Sequence, residues 1–168
     1  KKTSEEKMKI RKATINDLKE LTKIEAKCFP SKEAATEEDF KARLKVYPNY
    51  FWILEDDFGK IISFVNGMVA DSKNLIDEMF KNPNLHDENG DWQMIFGVNT
   101  LPEYRKNGYA GLLLKRVIKD AKKQKRKGVV LTCKEKLVNY YEKFGFRSYG
   151  ISESLHGGAV WYDMRIDF

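Results

Sequence analysis

The 168-residue chain is long enough for one domain with a sizeable core, and its 42% apolar and 12% aromatic content excludes global disorder. Its net charge of +6 is local: residues 115–127 hold eight basic side chains and one acid, Asp120, leaving 23 basic against 24 acidic residues elsewhere. That run reads as a solvated helix face, and without interleaved aromatic rings it lacks the stacking platform of a nucleic-acid binder.

Residues 1–7 are polar and read as a flexible tail, ahead of a single domain over 8–168. Alternation over 8–13 predicts a first strand. Thr14 and Asp17 supply capping residues before Leu18, Leu21, Ile24 and Glu25, an amphipathic helix that stops near Pro30. Thr36, with Asp39 three residues on, opens a second helix to about Val46. Residues 50–55 and 60–70 predict two strands across the turn Asp56-Asp57-Phe58-Gly59, the second apolar enough to be central. Residues 71–90 are irregular, with a short helix near 75–80, and 92–98 return to strand. Gly97 marks a bulge or a close backbone approach there. The longest helix spans 109–127, with Ala110, Leu113, Leu114, Val117 and Ala121 on one face and Gly128 as its stop. A buried strand over 129–133, a helix over 136–144 stopped by Gly145, and strands over 146–153 and 160–168 complete the chain. This order predicts an α/β fold with a mixed sheet of seven strands flanked by about four helices.

The turn Arg105-Lys106-Asn107-Gly108-Tyr109-Ala110-Gly111 enters the longest helix. Backbone amides at a helix start point outward beside the positive end of the dipole, and small residues let a phosphate reach them. Arg105 and Lys106 add cationic charge at the same place. Neither the Gly-x-Gly-x-x-Gly fingerprint nor a Gly-Lys-Ser/Thr ending is present. Strand, Arg-x-x-Gly-x-Ala turn, helix, strand and a second helix ending in Phe144-Gly145-Phe146 together resemble the GCN5-related N-acetyltransferase (GNAT) superfamily. The resemblance implies that Arg105 to Gly111 hold the pyrophosphate of acetyl-CoA. It also implies that Val98, Asn99 and Thr100, with Asn139, meet the pantetheine arm along an opened strand edge.

Within residues 131–146, Cys133, then Leu137-Val138, then Tyr141-x-x-Phe144-Gly145-Phe146 is similar to the arylalkylamine (serotonin-type) N-acetyltransferases. By that likeness Tyr141 is the general acid that protonates the departing thiolate, and Tyr140, on another face, is a core residue. Met94 and Phe96 stand where animal members carry a histidine pair, so the base lies elsewhere. Insect relatives place a glutamate after a Phe-containing helix end, which makes Glu33 a candidate. A surface glutamate is its equally weighted alternative. His156, beside Gly157 and Gly158, is the second candidate, since an imidazole titrates near neutral pH. His86 has less support, and Asp77 and Glu78 could steer a cationic amine.

Cys28 and Cys133 are too far apart in sequence for a metal motif, and no apolar run approaches the length of a membrane span. The expected protein is cytoplasmic, monomeric or homodimeric, without metal, nucleic-acid or membrane partners. Its expected activity is transfer of acetyl from acetyl-CoA to the primary amine of a small molecule by direct attack in a ternary complex. Acetylation of a protein or peptide amine and non-catalytic acyl-CoA binding stay open as alternatives.

Overall fold

The computed structural model describes residues 8–168, so the tail expected over 1–7 lies outside the described residues. In chain order the strands are β1 (Lys9–Lys12), β2 (Phe51–Glu55), β3 (Ile61–Asn66), β4 (Val69–Ala70), β5 (Trp92–Ile95), β6 (Gly97–Thr100), β7 (Gly128–Cys133), β8 (Arg147–Ile151) and β9 (Tyr162–Asp167). The α-helices are α1 (Leu18–Cys28), α2 (Glu37–Val46), α3 (Glu78–Lys81), α4 (Tyr109–Lys123) and α5 (Val138–Glu142). One antiparallel sheet has the order β1-β2-β3-β6 and a second has the order β4-β5-β7-β9-β8. In the second sheet the β5–β7 pair is parallel.

The described residues thus form nine strands and five α-helices, in place of the seven strands and about four helices expected. The two extra strands have one cause. Each of two expected strands, 60–70 and 92–98, breaks in two where the chain passes from one sheet to the other. Gly67 sits at the first break, where a Cβ would lie 1.9 Å from the Met94 carbonyl oxygen, so only a glycine lets the two segments cross this closely. The second break falls at Phe96.

Both predicted capping boxes are present: Thr14 with Asp17, and Thr36 with Asp39. The longest helix ends earlier than expected, at Lys123, and Lys125 takes the left-handed conformation beyond it (φ 66° at Lys106 and 62° at Lys125 are the non-glycine cases). Gly128 opens β7, where a Cβ would meet the Ile166 carbonyl oxygen at 1.8 Å; it is kept for close strand packing. The helix expected over 136–144 is α5 preceded by a 3₁₀ turn, Glu135–Leu137.

β2, β3 and β5 are buried at every position, which requires cover on both faces. α4 runs against β2, β3, β6 and β7. Its buried Leu113, Leu114 and Val117 contribute about 1.5–3 kcal/mol each, enough to fix where its N-terminus ends up.

Arg11 on β1 ties the first elements together. Its Nη1 and Nη2 donate to the Asp17 carboxylate at 2.9 and 2.8 Å, and Nε donates to Glu55 at 2.8 Å. Burial opposes ionisation of Asp17 and Glu55, but Arg11, joined by the Thr14 amide at Asp17 and by Lys9 at Glu55, outweighs it and holds both carboxyls below the usual range. Carboxyls depressed in the folded state give stability that is present above about pH 4 and is lost as pH falls through the lower folded values. Arg11→Met is therefore expected to cost about 2 kcal/mol at pH 7 and much less at pH 3, measured by urea unfolding at both.

Candidate active site

β5 and β6 are one run of chain that changes partners at Phe96. Up to Ile95 it pairs with β7, Ile95 opposite Leu131; from Gly97 it pairs with β3, Gly97 opposite Asn66. Thr132 and Cys133 of β7 are then left with β9 alone as a partner. A wedge opens between β6 and the end of β7, holding a cavity of about 590 Å³. One wall carries Phe96, Val98 and Thr100; the other carries Leu131 and Cys133.

Backbone alternation decides what β6 offers to the wedge. Leu101 N–H donates to the Ile62 carbonyl, so Gly97 and Asn99 turn their backbone groups to β3, and Val98 and Thr100 turn theirs to the open edge. The Thr100 carbonyl bears this out by accepting from Arg105 Nε at 3.1 Å and Cys28 Sγ at 3.3 Å. An open strand edge is a template for an amide-bearing ligand.

At the cavity mouth α4 begins without a side-chain cap. Gly108, at φ 79°, and Lys106, at φ 66°, shape the loop. The first helical bond runs from Leu112 N–H to the Gly108 carbonyl, so the amides of Ala110 and Gly111 precede the helical ladder. No atom lies within 4 Å of a Cβ built on Gly108, so the approach is open. With Arg105 and Lys106 lining the same cavity, these groups suit a pyrophosphate.

Deeper in, Tyr141 and Tyr140 both line the cavity, their rings 5.1 Å apart. Burial pushes the Tyr141 phenol far above its usual value and raises Tyr140 too, so both stay protonated. Glu25 of α1 lines the same cavity. Its Oε2 accepts from the Ala35 N–H at 3.0 Å; its buried Oε1 has no hydrogen-bond partner among the described residues. A Cβ on Gly97 would come within 3.6 Å of that oxygen. Burial lifts the Glu25 carboxyl above its ordinary value, against the Ala35 amide, Arg43 and Asn99, which lower it.

The profile of the acetyltransferase (GNAT) family matches residues 18–146. The chain belongs to the GNAT family. It is an enzyme of the N-acetyltransferase class. Among solved structures, the loading GNATL domain of CurA from Lyngbya majuscula superposes with a TM-score of 0.82 at 18% identity, covering 95% of this chain and 97% of that one. The GphF GNAT-like decarboxylase, solved in complex with isobutyryl-CoA, gives 0.79 at 20% identity over 95% and 98%. Naa20 from Chaetomium thermophilum, solved with a bisubstrate analogue, gives 0.71 at 23% identity over 95% and 86%. At such identities the likeness concerns the fold. No curated protein sequence matches significantly.

In this GNAT protein the wedge gathers Val98, Thr100, Arg105, Lys106, Gly108, Tyr109, Ala110, Glu33, Tyr141 and His156 of the residues singled out from sequence. Four others lie off its lining. Asn99 is buried within β6. The Asn107 side chain braces the loop by donating to the Tyr104 and Arg105 carbonyls. Gly111 makes room for the Phe144 ring, 3.1 Å from where its Cβ would be. Asn139 is exposed on α5.

Glu33 lines the cavity with Phe29, Pro30 and Phe80, but its carboxylate is not left unpaired among them: Oε2 is ion-paired with Lys134 Nζ at 2.9 Å. His156 Nε2 lies 2.8 Å from the Glu33 carbonyl oxygen and therefore carries its hydrogen. His86 is remote, accepting from Val69 N–H and meeting Glu88, and Asp77 anchors Ser154 and the Leu155 amide. Sequence reasoning passed over Glu25 as a functional group. The available signal was its place on the apolar stripe of α1, four residues after Leu21 and three before Cys28. Among the described residues no group of three or more His, Cys, Asp or Glu could hold a metal, and no helix is long and apolar enough to cross a membrane.

An aspartate in the first turn favours the α4 dipole yet would face a bound pyrophosphate. Ala110→Asp is expected to keep the melting temperature within a few degrees while weakening coenzyme A binding by about tenfold or more. Calorimetric titration beside thermal unfolding checks both.

Proposed function

We propose that this protein transfers acetyl from acetyl-CoA to the primary amine of a small molecule, with Glu25 as the general base and Tyr141 as the general acid. The observation that carries this reading is a buried Glu25 carboxylate whose Oε1 makes no hydrogen bond within 3.5 Å among the described residues, on a residue lining the same cavity as Tyr141. Acetyl-CoA supplies the activated acetyl thioester. Val98 and Thr100 at the open edge would pair with its pantetheine amides, and Arg105, Lys106 and the first α4 amides would hold its pyrophosphate. Glu25 takes a proton from the incoming ammonium, which frees the nitrogen lone pair to attack the thioester carbon. As the carbon–sulfur bond breaks, the Tyr141 hydroxyl gives its proton to the departing thiolate.

Direct attack is favoured over an acyl-cysteine route. Both cysteines line the cavity, but burial pushes Cys133 up to about 11 and raises Cys28 as well, so neither is a thiolate at neutral pH.

A small acceptor is favoured by the side chains that line the cavity beside two of its loops. The loop after α1 and the loop between β8 and β9 touch, through His156 on the Glu33 carbonyl and a Gly157 whose Cβ would lie 2.6 Å from Glu33 Cγ. Phe29, Phe80, Phe96 and Trp161 line the cavity here. These aromatic side chains suit an alkyl or arylalkyl amine, in keeping with the likeness to arylalkylamine N-acetyltransferases.

Thiol release with a panel of small primary amines and short peptides tests the reading. Glu25→Gln is expected to lower kcat/KM by about 10²–10⁴ with coenzyme A affinity retained, and Tyr141→Phe to lower kcat. Glu33→Gln, with its carboxylate committed to Lys134, is expected to do far less. In the wild type kcat/KM should fall on acidification along a limb placed above the ordinary carboxylate value of about 4.3, because the base must be ionised. Full activity in Glu25→Gln, or turnover of peptides alone, would contradict the reading.

A further inference from the structure

A second chamber, of about 20 Å³, shares Glu25 with the substrate cavity. That is room for one water molecule. Around it stand Glu25, Arg43, Glu33, Asp39, Lys81 and His156, and it reaches the surface at Lys81, whose side chain is 65% exposed.

Two of the buried polar atoms without a partner among the described residues belong to residues of this chamber: Glu25 Oε1, an acceptor, and Arg43 Nε, a donor. Arg43 is only 3% exposed. It is fixed from behind, with Nη1 donating to Asn66 Oδ1 at 2.8 Å and Nη2 to the Phe80 carbonyl at 2.9 Å. Its guanidinium also lies 5.1 Å from the Phe96 ring centre. Arg43 and Glu25 make no direct ion pair within 4.0 Å. An unmade hydrogen bond on a buried charged group is costly, and a single water accepting from Arg43 Nε and donating to Glu25 Oε1 would satisfy both.

We propose that this chamber is the proton exit of the enzyme, with Arg43 as the positioning residue that holds its water against Glu25. The inference rests on Glu25 being the base. The ammonium N–H bond breaks and its proton goes to the Glu25 carboxylate. To reset, the Glu25 O–H bond breaks and that proton passes to the water, which releases one of its own toward solvent. His156 also stands at the chamber, its Nε2 donating to the Glu33 carbonyl. The Asp39 carboxylate, already bonded to Lys81, lies on the same route. One proton leaves per turnover, and Glu25 returns to its ionised form.

The charges that face Glu25 fix the direction of the effects. Arg43 from α2, the Ala35 amide, Asn99 from β6 and His156 favour the carboxylate, and burial opposes it. Glu33 and Asp39, also at the chamber, are matched by Lys134 and Lys81. Loss of the Arg43 charge should thus make Glu25 keep its proton to higher pH.

The test compares pH profiles of kcat/KM for Arg43→Met, Arg43→Lys and Ala35→Val, each confirmed folded by thermal unfolding. Arg43→Met is expected to move the acid limb up by about one pH unit or more and to regain activity in alkali, with Arg43→Lys lying between it and the wild type. Ala35→Val keeps the backbone bond to Glu25 but fills the chamber. It is expected to lower kcat several-fold and enlarge the solvent deuterium effect while leaving the limb in place. An unmoved limb in folded Arg43→Met, or wild-type kcat and isotope effect in Ala35→Val, would overturn the proton exit; should Arg43→Met not fold, Ala35→Val alone decides. An active Glu25→Gln would instead overturn the base assignment beneath it.

Discussion

The change of partners at Phe96 is the constraint from which the rest of the site follows. A strand bonded on both sides has no backbone to offer a ligand, and a strand bonded on neither is unstable. By leaving β7 at Ile95 and joining β3 at Gly97, the chain stays bonded on one side while Val98 and Thr100 face a wedge on the other. The wedge then fixes which groups meet. The end of β7 brings Cys133, α5 brings Tyr141, α1 brings Glu25, and α4 starts at the mouth. Gly67 makes the crossing possible, since any side chain there would collide with the Met94 carbonyl.

Much of this was legible in the sequence because local chemistry dictated it. The Thr14–Asp17 and Thr36–Asp39 pairs bond within one turn, so their capping boxes needed no tertiary information. The apolar face of α4 was likewise visible at helical spacing. The two broken strands were not, because apolar runs report burial and say nothing of which neighbour provides it. Residues 61–69 are mostly apolar on both sides of the change of sheet, interrupted only by Ser63, Asn66 and Gly67. Gly128 was misjudged for a related reason: a glycine after a helix suits a stop, but here Lys125 takes the left-handed turn and the glycine serves strand packing three residues later.

At the candidate site the same split appears. The turn from Arg105 to Ala110 is a local motif and lies at the cavity, while the exposed Asn107 side chain braces the loop. The proposed base is a long-range property. Glu25 stands between Lys23 and Lys27 and looks solvated when read along the chain; helical spacing to Leu21 and Cys28 turns it inward. Glu33 was favoured on resemblance, and it reaches the cavity, yet Lys134 comes from the far side of the wedge to claim its carboxylate. Burial without an ion pair raises Glu25 toward the range useful for a base, and burial of Tyr141 and the two thiols keeps them protonated.

The claim beneath all of this is that the open edge of β6 receives the pantetheine arm of the cosubstrate. Residue-resolved amide exchange by NMR, with and without acetyl-CoA, tests it most directly. The account predicts slowed exchange at Val98 and Thr100 on binding, with Asn99, already bonded to β3, nearly unchanged. Binding that leaves Val98 and Thr100 exchanging as fast as in the free protein would contradict it.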